Sequence, residues 1–133
     1  MYRLGLLLCC TLLLLACRRD KGECPGDRIC TMEFRLIGVS VVDSNGDPVE
    51  LDSAFVLRAR DDFRRPAERL DWPGSSGYVL LTDNDMALTT LTGEIFLFHG
   101  YLGDTRVIAQ PYLLRHDCCH VDKVGGADTI VLE

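Results

Sequence analysis

The chain has 133 residues, with 47% hydrophobic residues, 26% charged residues and a formal net charge of −6. That length builds one packed core and is short for two. The acidic balance lacks the clustered cations that neutralise phosphates, so no nucleic-acid partner is expected.

Residues 1–16 carry one basic residue, Arg3, then the apolar run Leu4 to Leu15, and no acid. This is the layout of a secretory signal peptide, and the run is shorter than the roughly 20 apolar residues of a membrane-spanning helix. It ends in Leu14-Leu15-Ala16-Cys17, and Arg18-Arg19-Asp20-Lys21 follows at once. The stretch resembles the lipobox of bacterial lipoproteins. That resemblance implies cleavage after Ala16, a diacylglyceryl group on the Cys17 sulfur and acylation of the new amino terminus. Several acyl chains anchor stably, since each buried methylene contributes about 0.8 kcal/mol. Cys9 and Cys10 fall in the leader, where a thiol passes as a small apolar group.

Residues 17–29, with Pro25-Gly26 in their middle, read as a tether from lipid to domain. The domain is expected over residues 30–133. Its candidate strands are Thr31 to Val42, Ala54 to Arg60, Tyr78 to Thr82, Met86 to Leu91, Glu94 to His99, Thr105 to Leu114, Cys118 to Val121 and Thr129 to Leu132. Glycine-, proline- and aspartate-containing turns separate them, and Pro66 limits residues 62 to 71 to a turn or so of helix. Short strands at this spacing predict an all-β fold, a single β-sandwich of about seven strands with a transthyretin-like or immunoglobulin-like arrangement.

Val41-Val42-Asp43-Ser44-Asn45-Gly46-Asp47-Pro48-Val49 resembles the opening hairpin of carboxypeptidase regulatory-like and transthyretin-like modules. Gly46 supplies a positive φ there and Pro48 fixes the exit. The lipobox, the run Cys24 to Cys30, and Asp117-Cys118-Cys119-His120-Val121 before a glycine turn and a last strand together resemble uncharacterised small lipoproteins of Bacteroidetes. That likeness implies lipid anchoring at the outer membrane but brings no activity. Arg18 to Asp20 is loosely similar to the charged stretch behind the lipidated cysteine of surface-exposed members, which implies exposure at the cell surface.

Beyond Cys17, four cysteines remain: Cys24, Cys30, Cys118 and Cys119. An even number in an exported chain reads as two disulfides. Strand alternation puts Cys119 on one face with Val121 and Cys30 on one with Phe34 and Leu36. This predicts a core bridge Cys30–Cys119 and an outer bridge Cys24–Cys118, each closing a long loop worth roughly 4 kcal/mol in the loop-entropy model. The alternative is a soft-metal site of His116, Cys118, Cys119 and His120 in the reduced state. It is weakened because neighbouring cysteines on a strand face opposite ways.

Asp43 to Asp47 offers oxygens at alternate positions, but Pro48 and Ala54 stand where a calcium loop needs glycine and glutamate, so a plain turn is expected. Arg58, Arg60, Arg64, Arg65 and Arg69 form a basic island that suits an anionic glycan or lipid headgroup, with a solvated strand end as the simpler reading. Trp72 and Tyr78, with Arg64 and Arg65, are the candidate binding-loop residues. Asp52-Ser53-Ala54 and Asp128-Thr129-Ile130 are similar to the O-glycosylation acceptor of Bacteroides-type periplasms, which implies glycans on Ser53 or Thr129.

Gly74-Ser75-Ser76-Gly77 lacks the spacing of a nucleophile elbow, and no local motif ties His99, His116 or His120 to a nucleophile. No enzyme and no cofactor are therefore expected. The reading that results is a non-catalytic envelope lipoprotein presenting a binding or accessory module to a glycan or an envelope protein. The alternatives are metal handling, and an assembly subunit whose last strand, Asp128 to Glu133, joins a neighbour's sheet.

Overall fold

The computed structural model describes residues 24–72 and 75–133. The leader, Cys17 and the tether up to residue 23 lie outside the described residues.

Period-two burial builds the two layers. In β1 (Leu36–Asp43), Ile37, Val39 and Val41 are buried, and in β6 (Glu94–Leu102), Phe96 and Phe98 are. Side chains alternate across a strand, so each run presents one apolar row to the opposite sheet. The remaining strands are β2 (Ser53–Arg58), β3 (Phe63–Pro66), β4 (Arg69–Trp72), β5 (Ser75–Thr82), β7 (Thr105–His116), β8 (Val121–Gly125) and β9 (Thr129–Leu132). One sheet has the order β4-β5-β1-β9 and the other β3-β2-β6-β7-β8. Every pairing is antiparallel except β1 with β9. The fold is thus the expected all-β sandwich, with nine strands among the described residues against about seven expected.

Four local expectations are corrected. Met86 to Leu91 is not a strand: a 3₁₀ helix spans Asp83–Leu88, because Asp85 accepts hydrogen bonds from the Thr82 N–H (2.8 Å) and hydroxyl (2.9 Å) and turns the chain as it leaves β5. Residues 62 to 71 form no helical turn but the edge strands β3 and β4. Pro66, lacking an N–H, is tolerated at the end of an edge strand. The first strand begins at Leu36 rather than Thr31, since residues 31–35 are tied by side chains and not by a ladder. Cys118 to Val121 is a turn, and its strand runs instead over Val121–Gly125. The Asp43–Asp47 segment is the plain turn expected. The Asp43 carboxylate accepts from the N–H groups of Asn45 (2.8 Å) and Asp47 (2.9 Å), and Gly46 has φ +87°.

The core joins Val39, Val41, Val56, Leu80, Phe96, Phe98, Tyr112 and Leu114. Tyr112 is wholly inside except that its hydroxyl donates to the Ala127 carbonyl at 2.9 Å, and burial pushes its pKa up to about 12. Gly126 lies flat against that ring with φ +120°, where a Cβ would overlap the aromatic carbons. Gly126→Ala is therefore strained in both backbone and packing. It should lower unfolding free energy by about 3 kcal/mol, against about 1 kcal/mol for Tyr112→Phe. Denaturant midpoints check the order, and equal midpoints for Gly126→Ala and the wild type would contradict it.

Candidate functional site

The two disulfides are Cys24–Cys118 and Cys30–Cys119, with Cα–Cα distances of 5.5 and 5.3 Å. The pairing agrees with the alternation argument, but its cause differs. Cys118 and Cys119 occupy the turn between β7 and β8, Cys118 at φ 78°, and Cys24 and Cys30 belong to the exposed segment ahead of β1. The Cys30–Cys119 bridge accordingly lies at the surface of the sandwich, not in its core. The turn is held from within. His116 Nδ1 accepts the Cys118 N–H (3.1 Å), and Asp117 accepts those of Cys119 (2.9 Å) and His120 (2.8 Å).

The four expected soft-metal ligands are not brought together. Cys119 is bonded to Cys30, and both ring nitrogens of His120 are engaged elsewhere. Among the described residues, the ligand atoms of Cys24, His116 and Cys118 do lie within 4.8 Å of one another. With Cys24 and Cys118 joined as a disulfide, neither sulfur is the thiolate that Zn²⁺ binds.

His120, 5% exposed, sits between Asp83 and Thr31. Nδ1 is 2.8 Å from the Asp83 carboxylate and Nε2 is 2.9 Å from the Thr31 hydroxyl. An ionised carboxylate only accepts, so Nδ1 carries a proton, and in the neutral ring Nε2 accepts from Thr31. Asp83 also accepts the N–H groups of Arg35 and Val121, both at 2.8 Å. Residues 31, 83 and 120 are far apart in the chain, so no local pattern announces this line. Burial alone would raise the Asp83 pKa, but the Arg35, His120 and Val121 hydrogen bonds together hold it below its ordinary 3.8. The Cys119 and His120 N–H groups hold Asp117 low in the same way.

The binding-loop residues separate. Tyr78 is not displayed: it is 4% exposed, and its hydroxyl oxygen accepts the Leu51 N–H at 2.7 Å. Trp72 lies in strand β4 rather than a loop, and its side chain is outside what the structure describes. Arg65 donates to the Leu80 carbonyl (3.0 Å) and pairs with Asp85 (3.3 Å). Elsewhere in the basic island, Arg58 is buried against Asp61, Arg60 meets Glu94 and Arg69 meets Glu50 and Asp71. Arg64 alone of the island is exposed with no ion pair to a described residue, its guanidinium 5.0 Å over the Phe55 ring.

Phe55 leads to a cluster that the sequence reading did not assemble. β2 and β6 are neighbours, which sets Phe55 opposite His99 (ring centroids 5.0 Å apart) and near Tyr101 (5.9 Å). These residues, with Leu57, Ile95 and Leu97, occupy the outward face of the five-stranded sheet, because their alternates Val56, Phe96 and Phe98 fill the core. His99 is 8% exposed, and its Nδ1 is buried without a hydrogen-bond partner. Burial depresses its pKa, and the charges of Arg106 and Arg64 act in the same direction, so the ring is neutral at pH 7. The alternation Ile95-Leu97-His99-Tyr101 was the available signal, but only strand order places Phe55, Arg64 and Arg106 beside it.

The depressed carboxylates of Asp117, in the β7–β8 turn, and Asp83, packed against it, give a pH dependence. A carboxylate with a lowered folded pKa stabilises fully above its unfolded value, and that stabilisation is lost as pH falls through the folded value. For Asp83 the window lies below 3.8. Asp83→Asn should be less stable than the wild type at neutral pH, and the two denaturant midpoints should converge as pH falls below 3.8. A constant gap across that range would contradict the assignment. In comparisons with known proteins, no family model, no curated protein and no solved structure matched the chain.

Proposed function

We propose that this chain is an exported lipoprotein, acylated at Cys17, whose β-sandwich is a non-catalytic binding module of the cell envelope. The outward face of the five-stranded sheet is its contact surface. The observation that carries this reading is the composition of that face: Phe55, Leu57, Leu97 and Tyr101 are only half-buried and Ile95 is 46% exposed. A contiguous apolar sheet face with polar residues at its rim is the usual form of an interaction surface.

Two further observations support the reading. Two disulfides suit an oxidising compartment outside the cytoplasm. The Thr31–His120–Asp83 line has the connectivity of a hydroxyl activated by a base. Yet the nearby N–H groups of Cys119, His120, Val121 and Arg35 are all committed to carboxylates. None of these four is left to receive an oxyanion, which favours a fastening role for that line over a reactive one. One observation favours metal handling as a second reading, namely the closeness of Cys24, His116 and Cys118. It requires the Cys24–Cys118 bridge to be reduced.

A photo-crosslinking residue installed at Leu57 in living cells should give discrete adducts. The same residue at Ser40, in the other sheet, should give none. Equal labelling from the two positions, or none from Leu57, would sink the proposed face. Metabolic palmitate labelling checks the anchor: Cys17→Ser should lose the label and leave the membrane fraction, and a labelled variant would rule Cys17 out.

A further inference from the structure

Most arginines among the described residues have a partner. Among the described residues, Arg35, Arg58, Arg60, Arg65, Arg69 and Arg115 form ion pairs with carboxylates, and Arg28 donates to the Asp117 carbonyl. Only the side chains of Arg64 and Arg106 make neither an ion pair nor a hydrogen bond to any described residue, and both are exposed. They flank one another's surroundings: Arg64 stands over Phe55, Arg106 is the cross-strand partner of Tyr101, and both charges act on His99. Among the described residues, these two arginines without ion pairs thus converge on the cluster that holds a buried nitrogen without a partner.

Their spacing defines what fits. Arg64 is on β3 and Arg106 on β7, with β2 and β6 between them. Three strand spacings across the sheet and an offset of four residues along it, since Arg64 is level with Leu57 and Arg106 with Ser53, separate their backbones by about 20 Å. A single small anion does not fill that span. An extended polymer does, if it repeats carboxylates along its length and offers flat, C–H-rich faces between them to Tyr101.

From this geometry we infer that the outward sheet face is a binding site for an acidic, uronate-type polysaccharide. Arg64 and Arg106 receive its carboxylates and Tyr101 lies under a sugar ring, while Phe55 backs the Arg64 guanidinium. Guanidinium–carboxylate pairing is planar and bidentate, so it selects carboxylate over a neutral sugar. The molecule's other acids do not oppose it at distance, because exposed charges beyond about 8 Å are screened at physiological salt. The inference rests on the reading of this face as the contact surface.

The test uses the mature lipidated protein in nanodiscs of neutral lipid, titrated with an oligogalacturonate. The controls are the same oligosaccharide with its carboxylates reduced to alcohols, polyglutamate, and anionic lipid vesicles free of saccharide. The oligogalacturonate should bind and its reduced form should not. Arg64→Gln and Arg106→Gln should each weaken binding roughly tenfold, with unchanged unfolding midpoints because both side chains are exposed. Equal binding of the reduced oligosaccharide, unaffected Arg variants, or preference for polyglutamate or lipid vesicles would overturn the inference. If Leu57 still crosslinks in cells while oligogalacturonate fails to bind, only the ligand class is lost. If Leu57 also gives no adducts, the contact face falls with it.

Discussion

The two disulfides are the constraint around which the molecule is organised. They span 94 and 89 residues of sequence, and so fasten the segment that enters the sandwich to the turn between two of its last strands. In the loop-entropy model the first bridge to form removes about 4 to 5 kcal/mol of unfolded-state freedom. The second then closes a ring of only about eight residues and adds roughly 2 to 3 kcal/mol. The bridges interleave along the chain with neighbouring ends, so their contributions differ although their sequence spans are nearly equal. What the second bridge adds is direction, since two adjacent anchor points stop the entering segment from pivoting. That fixed segment puts the Thr31 hydroxyl on His120 and the Arg35 N–H on Asp83.

The same fastening leaves the two sheets with unlike outer surfaces. Cross-links and the Asp83–His120 couple gather at the β7–β8 turn, where carboxylates, backbone N–H groups and arginines are mutually satisfied. The outward face of the five-stranded sheet has the opposite character. Its aromatic and aliphatic side chains are half-covered, its arginines lack partners and its histidine nitrogen is buried unpaired. Half-covered apolar side chains and arginines without ion pairs, gathered on one face, are the features on which the proposed contact surface rests. The cysteine turn is thus the fastened end of the molecule, and the sheet face is the surface proposed for contact.

Much of the architecture could be read before any coordinates. Alternation in Ile37-Gly38-Val39-Ser40-Val41 and in Phe96-Leu97-Phe98 carries the sandwich, and Gly46 with Pro48 carries the turn. Thr129–Leu132 is a strand as its composition suggests. Three things were not legible, each for a physical reason. The 3₁₀ helix at Asp83–Leu88 depends on Asp85 reaching back to Thr82, a capping contact that overrides the apolar content of Met86 and Leu88. β3 and β4 are held by partners rather than by propensity, and an arginine-rich run with a proline gives no strand pattern of its own. The Phe55–His99–Tyr101 cluster and the Thr31–His120–Asp83 line exist only once strand order is known, because their members are neighbours through pairing and not along the chain. Tyr78 shows the reverse error: an aromatic beside glycines suggested display, while its place on β5 opposite Val39 sends it inward.

The most direct test of the division between a structural cysteine turn and a binding sheet face is the intact mass of the mature protein after alkylation. It is measured natively and after reduction, with and without zinc. Structural bridges predict that native alkylation adds nothing under either condition and that reduction exposes four thiols. Partial reduction followed by fragmentation should then return Cys24 with Cys118 and Cys30 with Cys119. Free native thiols that zinc protects would contradict the account, and would move the function from the sheet face to the cluster of Cys24, His116 and Cys118.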